Sequence, residues 1–200
     1  MDTDIVLASE NPGKLKEFRE LFKEFAPTVD LLSLRNFDYT SPEETGVTFE
    51  ENARLKAETA AKALQKWVLA DDSGLVVPAL KGEPGVYSAR YAGPGATDLD
   101  NRKKLLKAME NLEGLERAAY FECVLVLASP EGTKIVARGR VEGVIVDAER
   151  GRNGFGYDPL FQKYESSKTF AELDAQTKNR ISHRRKAFEK LKLSWETLKL

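Results

Sequence analysis

The sequence predicts an α/β protein built on a mixed β-sheet. Three observations carry that reading. The N-terminal half alternates short apolar runs with segments of helical periodicity, which is the pattern of strand–helix units. Residues 118–146 read as one long hairpin turning at Ser129-Pro130-Glu131-Gly132. Loops rich in glycine, proline and aspartate punctuate the rest.

The elements follow in order. Residues 5–8 are an apolar run before a polar loop, hence a buried first strand. Leu15, Phe18, Leu21, Phe22 and Phe25 recur at helical spacing, with Lys, Glu and Arg on the wet face. Residues 29–34 read as a second strand and 35–47 as a loop. Thr48-Phe49-Glu50-Glu51 is a capping box opening a helix to about Lys66, whose stripe is Phe49, Ala53, Ala57, Ala60 and Leu64. Residues 67–70 predict a short strand that ends at Asp71-Asp72-Ser73-Gly74. Residues 82–96 read as a loop, and 97–111 as a helix with Leu99, Leu105, Leu106 and Met109 inward. Residues 118–128 are apolar on both faces, as in a central strand, and 133–146 return beside them. Residues 147–159 form a Gly-rich loop, and helix follows from Thr169 with a break between Thr177 and Ser182. With no linker or internal repeat, residues 1–200 read as one domain.

Composition narrows the function. The chain has 200 residues, a net charge of -1 and 32% charged side chains. With a pI near 6.0 it lacks the basic field that draws in nucleic acid. Its single cysteine, Cys123, excludes an intrachain disulfide and a Cys-rich zinc site. No apolar run approaches the roughly 20 residues that cross a bilayer. The opening MDTDIV reads as an acidic lead-in to a strand rather than a signal peptide. A soluble, cytoplasmic protein without nucleic-acid or membrane partners is expected.

Five segments carry candidate chemistry. Ser9-Glu10-Asn11-Pro12-Gly13-Lys14 links a strand to a helix start, where backbone amides and Lys14 favour an anion. An ordinary capped turn is the plainer alternative. Asp71 and Asp72 after an apolar strand offer hard oxygen ligands for a divalent ion and a carboxylate to take a proton from water. An exposed turn would use the same residue types. Asn52 and Lys56 share a helix face, so Lys56 could meet an anion and Glu44 complete a metal site; a solvated helix edge also fits. Phe155, between Gly154 and Gly156, offers a ring to a planar base, with Asp158 as an acceptor, unless this is a tight turn anchored on core aromatics. Ser182-His183-Arg184-Arg185-Lys186 holds the only histidine and suits a phosphate or base carbonyl, or simply a wet helix face. The loop at 85–93, with two tyrosines and an arginine, is placed to line or buttress a cleft.

Taken together, six stretches resemble the inosine triphosphate pyrophosphatase family in order and spacing. They are SENPGK at 9–14, EETGVTFEENARLKA at 43–57, ADDSGL at 70–75, PGVYSARYAG at 84–93, GFGYDPLF at 154–161 and SHRRKAF at 182–188. The resemblance implies an elongated mixed sheet with two α/β lobes flanking a nucleotide-binding cleft. It implies hydrolysis of ITP, dITP and XTP to the monophosphate and pyrophosphate, with Mg²⁺. By motif position, the 9–14 loop (Ser9, Glu10, Asn11, Pro12, Gly13, Lys14) would hold the phosphates, with Lys56 opposite. Glu44 and Asp72 would bind the metal, and Asp72 would accept the proton, supported by Asp71 and Ser73. Phe155 would stack on the purine; Gly156, Tyr157, Asp158, Lys178, His183 and Arg184 would surround base and sugar. Glu10, at the variable loop position, is expected to point away from the anion. A homodimer is implied. Two other readings compete: the Maf-type pyrophosphatases, whose first loop prefers Ser-x-Ser-x-Arg-Arg, and a nucleic-acid-binding module using residues 178–186. A catalytically silent nucleotide sensor is a third, but both carboxylates and both lysines are present.

Overall fold

The computed structural model describes residues 3–198. Met1 and Asp2 of the acidic opening lie outside the described residues. The protein is α/β, with a six-stranded mixed sheet in the order β2-β1-β3-β4-β5-β6. The strands are β1 Thr3–Ala8, β2 Val29–Ser33, β3 Trp67–Val76, β4 Ala118–Ser129, β5 Gly132–Ile145 and β6 Phe161–Lys163. The helices are α1 Pro12–Phe25, α2 Phe49–Leu64, α3 Asp98–Ala108, α4 Ala175–Ile181 and α5 His183–Leu198. β1 pairs in parallel with β2 and β3, while β5 and β6 are antiparallel. No helix among the described residues is long and apolar enough to cross a membrane.

The chain divides into two compact units. The first holds the residues up to Asp72, Cys123–Gly139, and the stretch from Arg185 onward. Residues 5–8 of β1 and 68–70 of β3 are buried on both faces, so they read as unbroken apolar runs, whereas β2 is only partly covered. Alternation along each strand sorts the two faces. Ile5, Leu7 and Leu69 share a core with Phe18, Leu21 and Phe22 of α1 and with Phe188 and Leu191 of α5. Edge-to-face contacts of Phe22 with Phe188 (4.9 Å) and Trp195 (6.1 Å) fix that packing. The small face of α2 (Ala53, Ala57, Ala60, Ala61) is fully buried, which lets the helix lie close to its support.

The second unit holds Ser73–Glu122 and Arg140–Arg184. Leu75, Tyr91, Leu105, Met109, Phe121, Val141 and Phe161 are among its core residues. Phe121 packs edge-on against Phe161 (4.7 Å) and face to face with His183 (4.8 Å, 11°). Arg117 ties α3 to the end of β5 by donating to the carbonyls of Met109, Leu112, Ile145 and Val146.

Several elements depart from expectation. β3 does not stop at Ala70 but runs through Asp71-Asp72-Ser73-Gly74 to Val76, because those carboxylates find buried partners instead of water. Leu99 does not face the core: it is 44% exposed, and buried Asn101 faces inward with Leu105. The Thr48 hydroxyl caps α2 by accepting from Glu51 N–H, but the Glu51 carboxylate reaches one residue further back, to Val47 N–H. β6 was not foreseen, since its three residues are too few to show a period. The break in the C-terminal helix falls at Ser182, between α4 and α5.

Candidate functional site

In the first unit the strand order itself marks a position. The chain leaves β1 toward β2 on one side and returns to β3 on the other. Ligands of open α/β sheets gather beyond the carboxyl ends of strands at such a reversal. The last β1–β3 pair is Ala8 with Ala70, so Ser9 and Asp71 are the first residues past it. The loop after β1 turns at once into α1. Asn11 caps that helix, its Oδ1 accepting from the Lys14 N–H at 3.1 Å, and Pro12 stands where a missing N–H is harmless.

Alternation then separates the two aspartates. Asp71 continues the face of Ile5, Leu7 and Leu69, the side on which α1 packs. Its carboxylate is fully buried and paired with Lys14 Nζ at 2.8 Å. Asp72 continues the opposite face, toward α2. Its Oδ2 accepts from Asn52 Nδ2 at 3.1 Å, and Lys56 Nζ lies 3.6 Å from its Oδ1. Lys56 also donates to Glu44 Oε1 at 2.8 Å. Asn52, fully buried, accepts from the Gly46 N–H at 2.8 Å and so ties the Glu44 loop to the strand. Gly46 has no room for a side chain, since a Cβ would stand 2.7 Å from both Asn52 Oδ1 and Glu51 Cβ.

The electrostatics follow from this crowding. Burial pushes the Asp72 carboxyl above the usual aspartate range; Lys56 and Lys14 pull it back only in part, and Glu44 and Asp71 push it further up. Burial alone would lower Lys56, but Asp72, Asp71 and Glu44 outweigh it and hold its ammonium above the ordinary lysine value. Two lysines face three carboxylates here. Glu44 and Asp72 already converge on one cation, the Lys56 ammonium, and both are hard oxygen donors. No group of three or more His, Cys, Asp or Glu among the described residues forms a closed metal cage. As hard oxygen donors, these two carboxylates suit a divalent cation that keeps waters of its own.

In the second unit the loop before β6 is built around one ring. Gly154 (φ +76°) and Gly156 (φ +61°) adopt the left-handed conformation on either side of Phe155. A Cβ on Gly154 would also overlap the Asp158 carboxylate. Asp158 Oδ2 accepts from the Phe155 N–H at 2.9 Å and from Lys178 Nζ at 2.5 Å, and both charged groups are buried. Lys178 Nζ lies 4.6 Å and Arg184 Cζ 5.2 Å from the centre of the Phe155 ring, at cation–π distance. Arg184 also donates to Ser73 Oγ at 3.0 Å. Tyr157 is buried and donates to the Ser88 carbonyl at 2.9 Å, and burial pushes its phenol well above the usual tyrosine value. The result is a half-buried aromatic ring held beside two cations.

Sequence comparison matches residues 5–194 to the Ham1 family. The chain belongs to the Ham1 family. A dITP/XTP pyrophosphatase of Protochlamydia amoebophila is 56% identical over 98% of this chain and 99% of its own length. A dITP/XTP pyrophosphatase of Listeria monocytogenes is 50% identical over 94% of this chain and 92% of its own. Among solved structures, the Ham1 protein of Staphylococcus aureus superposes with a TM-score of 0.86 at 47% identity, covering 98% of this chain and 99% of that one. A Ham1 protein of Coxiella burnetii gives 0.88 at 43% identity, with the same coverage.

Within this Ham1 chain the sequence-derived residues fall into two groups, one per unit. Lys14, Glu44, Lys56 and Asp72 come together in the first, with Asp71 on Lys14. Ser73, Phe155, Asp158, Lys178 and Arg184 come together in the second. Ser9 and Gly13 are half-buried; Glu10, Asn11 and Pro12 are exposed. His183 lies buried against Phe121. Sequence reading did not assign Asn52 a role, although its spacing from Lys56 put it on the right helix face.

Proposed function

We propose that this chain hydrolyses ITP, dITP and XTP to the nucleoside monophosphate and pyrophosphate. The reading is supported by relatives of about half identical sequence that are named dITP/XTP pyrophosphatases. Within the molecule, one observation carries it: Glu44 and Asp72 converge on the buried ammonium of Lys56, beside a second lysine at a sheet reversal. Lys14 and Lys56 neutralise the triphosphate. Glu44 and Asp72 would hold Mg²⁺, which supplies charge neutralisation and orients phosphate oxygens when bound. Asp72 accepts a proton from the water that attacks the α-phosphorus. A new P–O bond forms there, the bond to the bridging oxygen breaks, and pyrophosphate departs with the bonding pair.

Phe155 stacks on the purine. Arg184, or a backbone N–H of the loop, donates to the 6-oxo group of hypoxanthine or xanthine. Adenine presents an amino group there and leaves the donor unmatched, which disfavours it. The whole chain acts as one catalytic domain, as a homodimer in the cytoplasm. Asp72→Asn tests the chemistry. Turnover of ITP should fall by about 10²–10⁴, while ITP binding measured by calorimetry persists. Near-native kcat in that variant would remove Asp72 from its role.

A further inference from the structure

The residue that follows Phe155 is gripped from outside its own loop. Gly156 N–H donates to Asp98 Oδ2 at 2.7 Å, and Gly156 C=O accepts from Arg102 Nη1 at 2.9 Å. Asp98 and Arg102 are four residues apart, on one face at the start of α3. Glu149 holds Arg102 in turn, accepting from its Nε at 2.8 Å. Both polar groups of a single residue are therefore satisfied by one helix turn more than fifty residues away in sequence.

This arrangement acts on the ring. Phe155 is fixed on its N-terminal side by the bond from its own N–H to Asp158. On its C-terminal side the Phe155 carbonyl accepts from Asp158 N–H at 3.2 Å, while Gly156 itself is left-handed and has no neighbour within 4 Å of where a Cβ would stand. Such a residue has wide conformational freedom. Both internal bonds of Phe155 run to Asp158, so without the outer anchor the Gly156 side of the loop is free to tilt and the ring's plane is less closely fixed. We infer that Asp98 and Arg102 are positioning residues that set the plane of Phe155 and thereby how tightly the purine base is held. The inference rests on the proposed stacking of a purine on Phe155. Neither side chain belongs to the hydrophobic core: Asp98 is exposed, and Arg102 keeps part of its surface in water.

The test uses the full chain with Asp98→Ala, Asp98→Asn and Arg102→Met, following pyrophosphate release from ITP. Asp98→Ala and Arg102→Met should each raise KM for ITP about tenfold, with kcat changing less than about threefold. Asp98→Asn keeps an oxygen to accept from Gly156 N–H, so its KM should stay within about twofold of native. Inhibition by tripolyphosphate, which carries the phosphates and no base, should be unchanged in all three. Melting temperatures should stay within about 4 °C of native. An unchanged KM in Asp98→Ala and Arg102→Met overturns the inference. So does a shift of the tripolyphosphate inhibition constant equal to the shift in KM, or a failure of Asp98→Asn to restore KM. A native chain that releases no pyrophosphate from ITP refutes the proposed function and this inference with it; an active native chain with native-like variants refutes the inference alone.

Discussion

Replacing Lys56 with methionine removes the cation on which Glu44 and Asp72 converge. The side chain keeps nearly the same length, so packing changes little. At an effective dielectric of about 20, an ammonium attracts a carboxylate by about 6 kcal/mol at the Glu44 distance of 2.8 Å and about 5 kcal/mol at the Asp72 distance of 3.6 Å. Desolvation of the three ions offsets most of this, and removing one partner of a buried pair costs about 3–5 kcal/mol net. The Glu44 side chain is 29% exposed, which sets the expectation near the low end, about 3 kcal/mol. For a chain of this size each kcal/mol moves Tm by about 2–4 °C, so Tm should fall by about 6–12 °C. Thermal melts by circular dichroism in metal-free buffer at neutral pH would read it. Lys56→Met combined with Asp72→Asn should cost less than the sum of the two, because they share the pair. A drop in Tm below about 2 °C, or strict additivity, would show that the lysine does not hold these carboxylates.

Two further substitutions probe the rest of the molecule. Gly154→Ala forces a side chain into the Asp158 carboxylate at a left-handed position. It should lower stability by about 1–3 kcal/mol and raise KM for ITP more than kcat falls; steady-state assays and melts check both. Glu50 accepts from Arg138 and Arg54 on the first unit, and those hydrogen bonds hold its carboxyl below the usual glutamate range. A depressed acid stabilises the fold above its ordinary pKa and loses that contribution as pH falls. Glu50→Gln should therefore melt about 2–4 °C below native at pH 7, for a partly exposed network worth about 1 kcal/mol at most. The gap should begin to close as pH drops below the ordinary glutamate value, near 4.3, and vanish once pH passes below the depressed folded value. A gap that persisted at low pH would contradict the ion-pair origin.

What the sequence revealed, and what it hid, follows from the range of each interaction. The apolar runs of β1 and β4 and the periodicity of α1 and α2 are local signals, and those elements form as read. The Asp71-Asp72-Ser73-Gly74 segment misled because its composition is that of a turn. Only the partners Lys14, Asn52 and Lys56, all distant in sequence, make an extended backbone affordable there. Leu99 misled for the converse reason: its spacing fits an apolar stripe, yet buried Asn101 takes the inward position, donating to the Ala89 carbonyl and accepting from the Ala92 N–H. At the site, Asp71, Asp72 and Lys14 stood out as charges next to apolar strands, while Glu44 and Lys56 stood out only through the family resemblance. Asn52 did not, since an amide on a helix face has no such contrast. Asp98 and Arg102 were invisible because their partner is a backbone group fifty-odd residues away.

The most direct test of the proposed function is pyrophosphate release from ITP, XTP, dITP, GTP and ATP, with and without Mg²⁺. Mg²⁺-dependent release from ITP, XTP and dITP, with ATP and GTP far behind, is the predicted result. Release from all five at similar rates would keep the phosphate chemistry but contradict base selection by Phe155, Arg184 and their loop. Release from none would contradict the assignment of this lysine–carboxylate cluster to triphosphate hydrolysis.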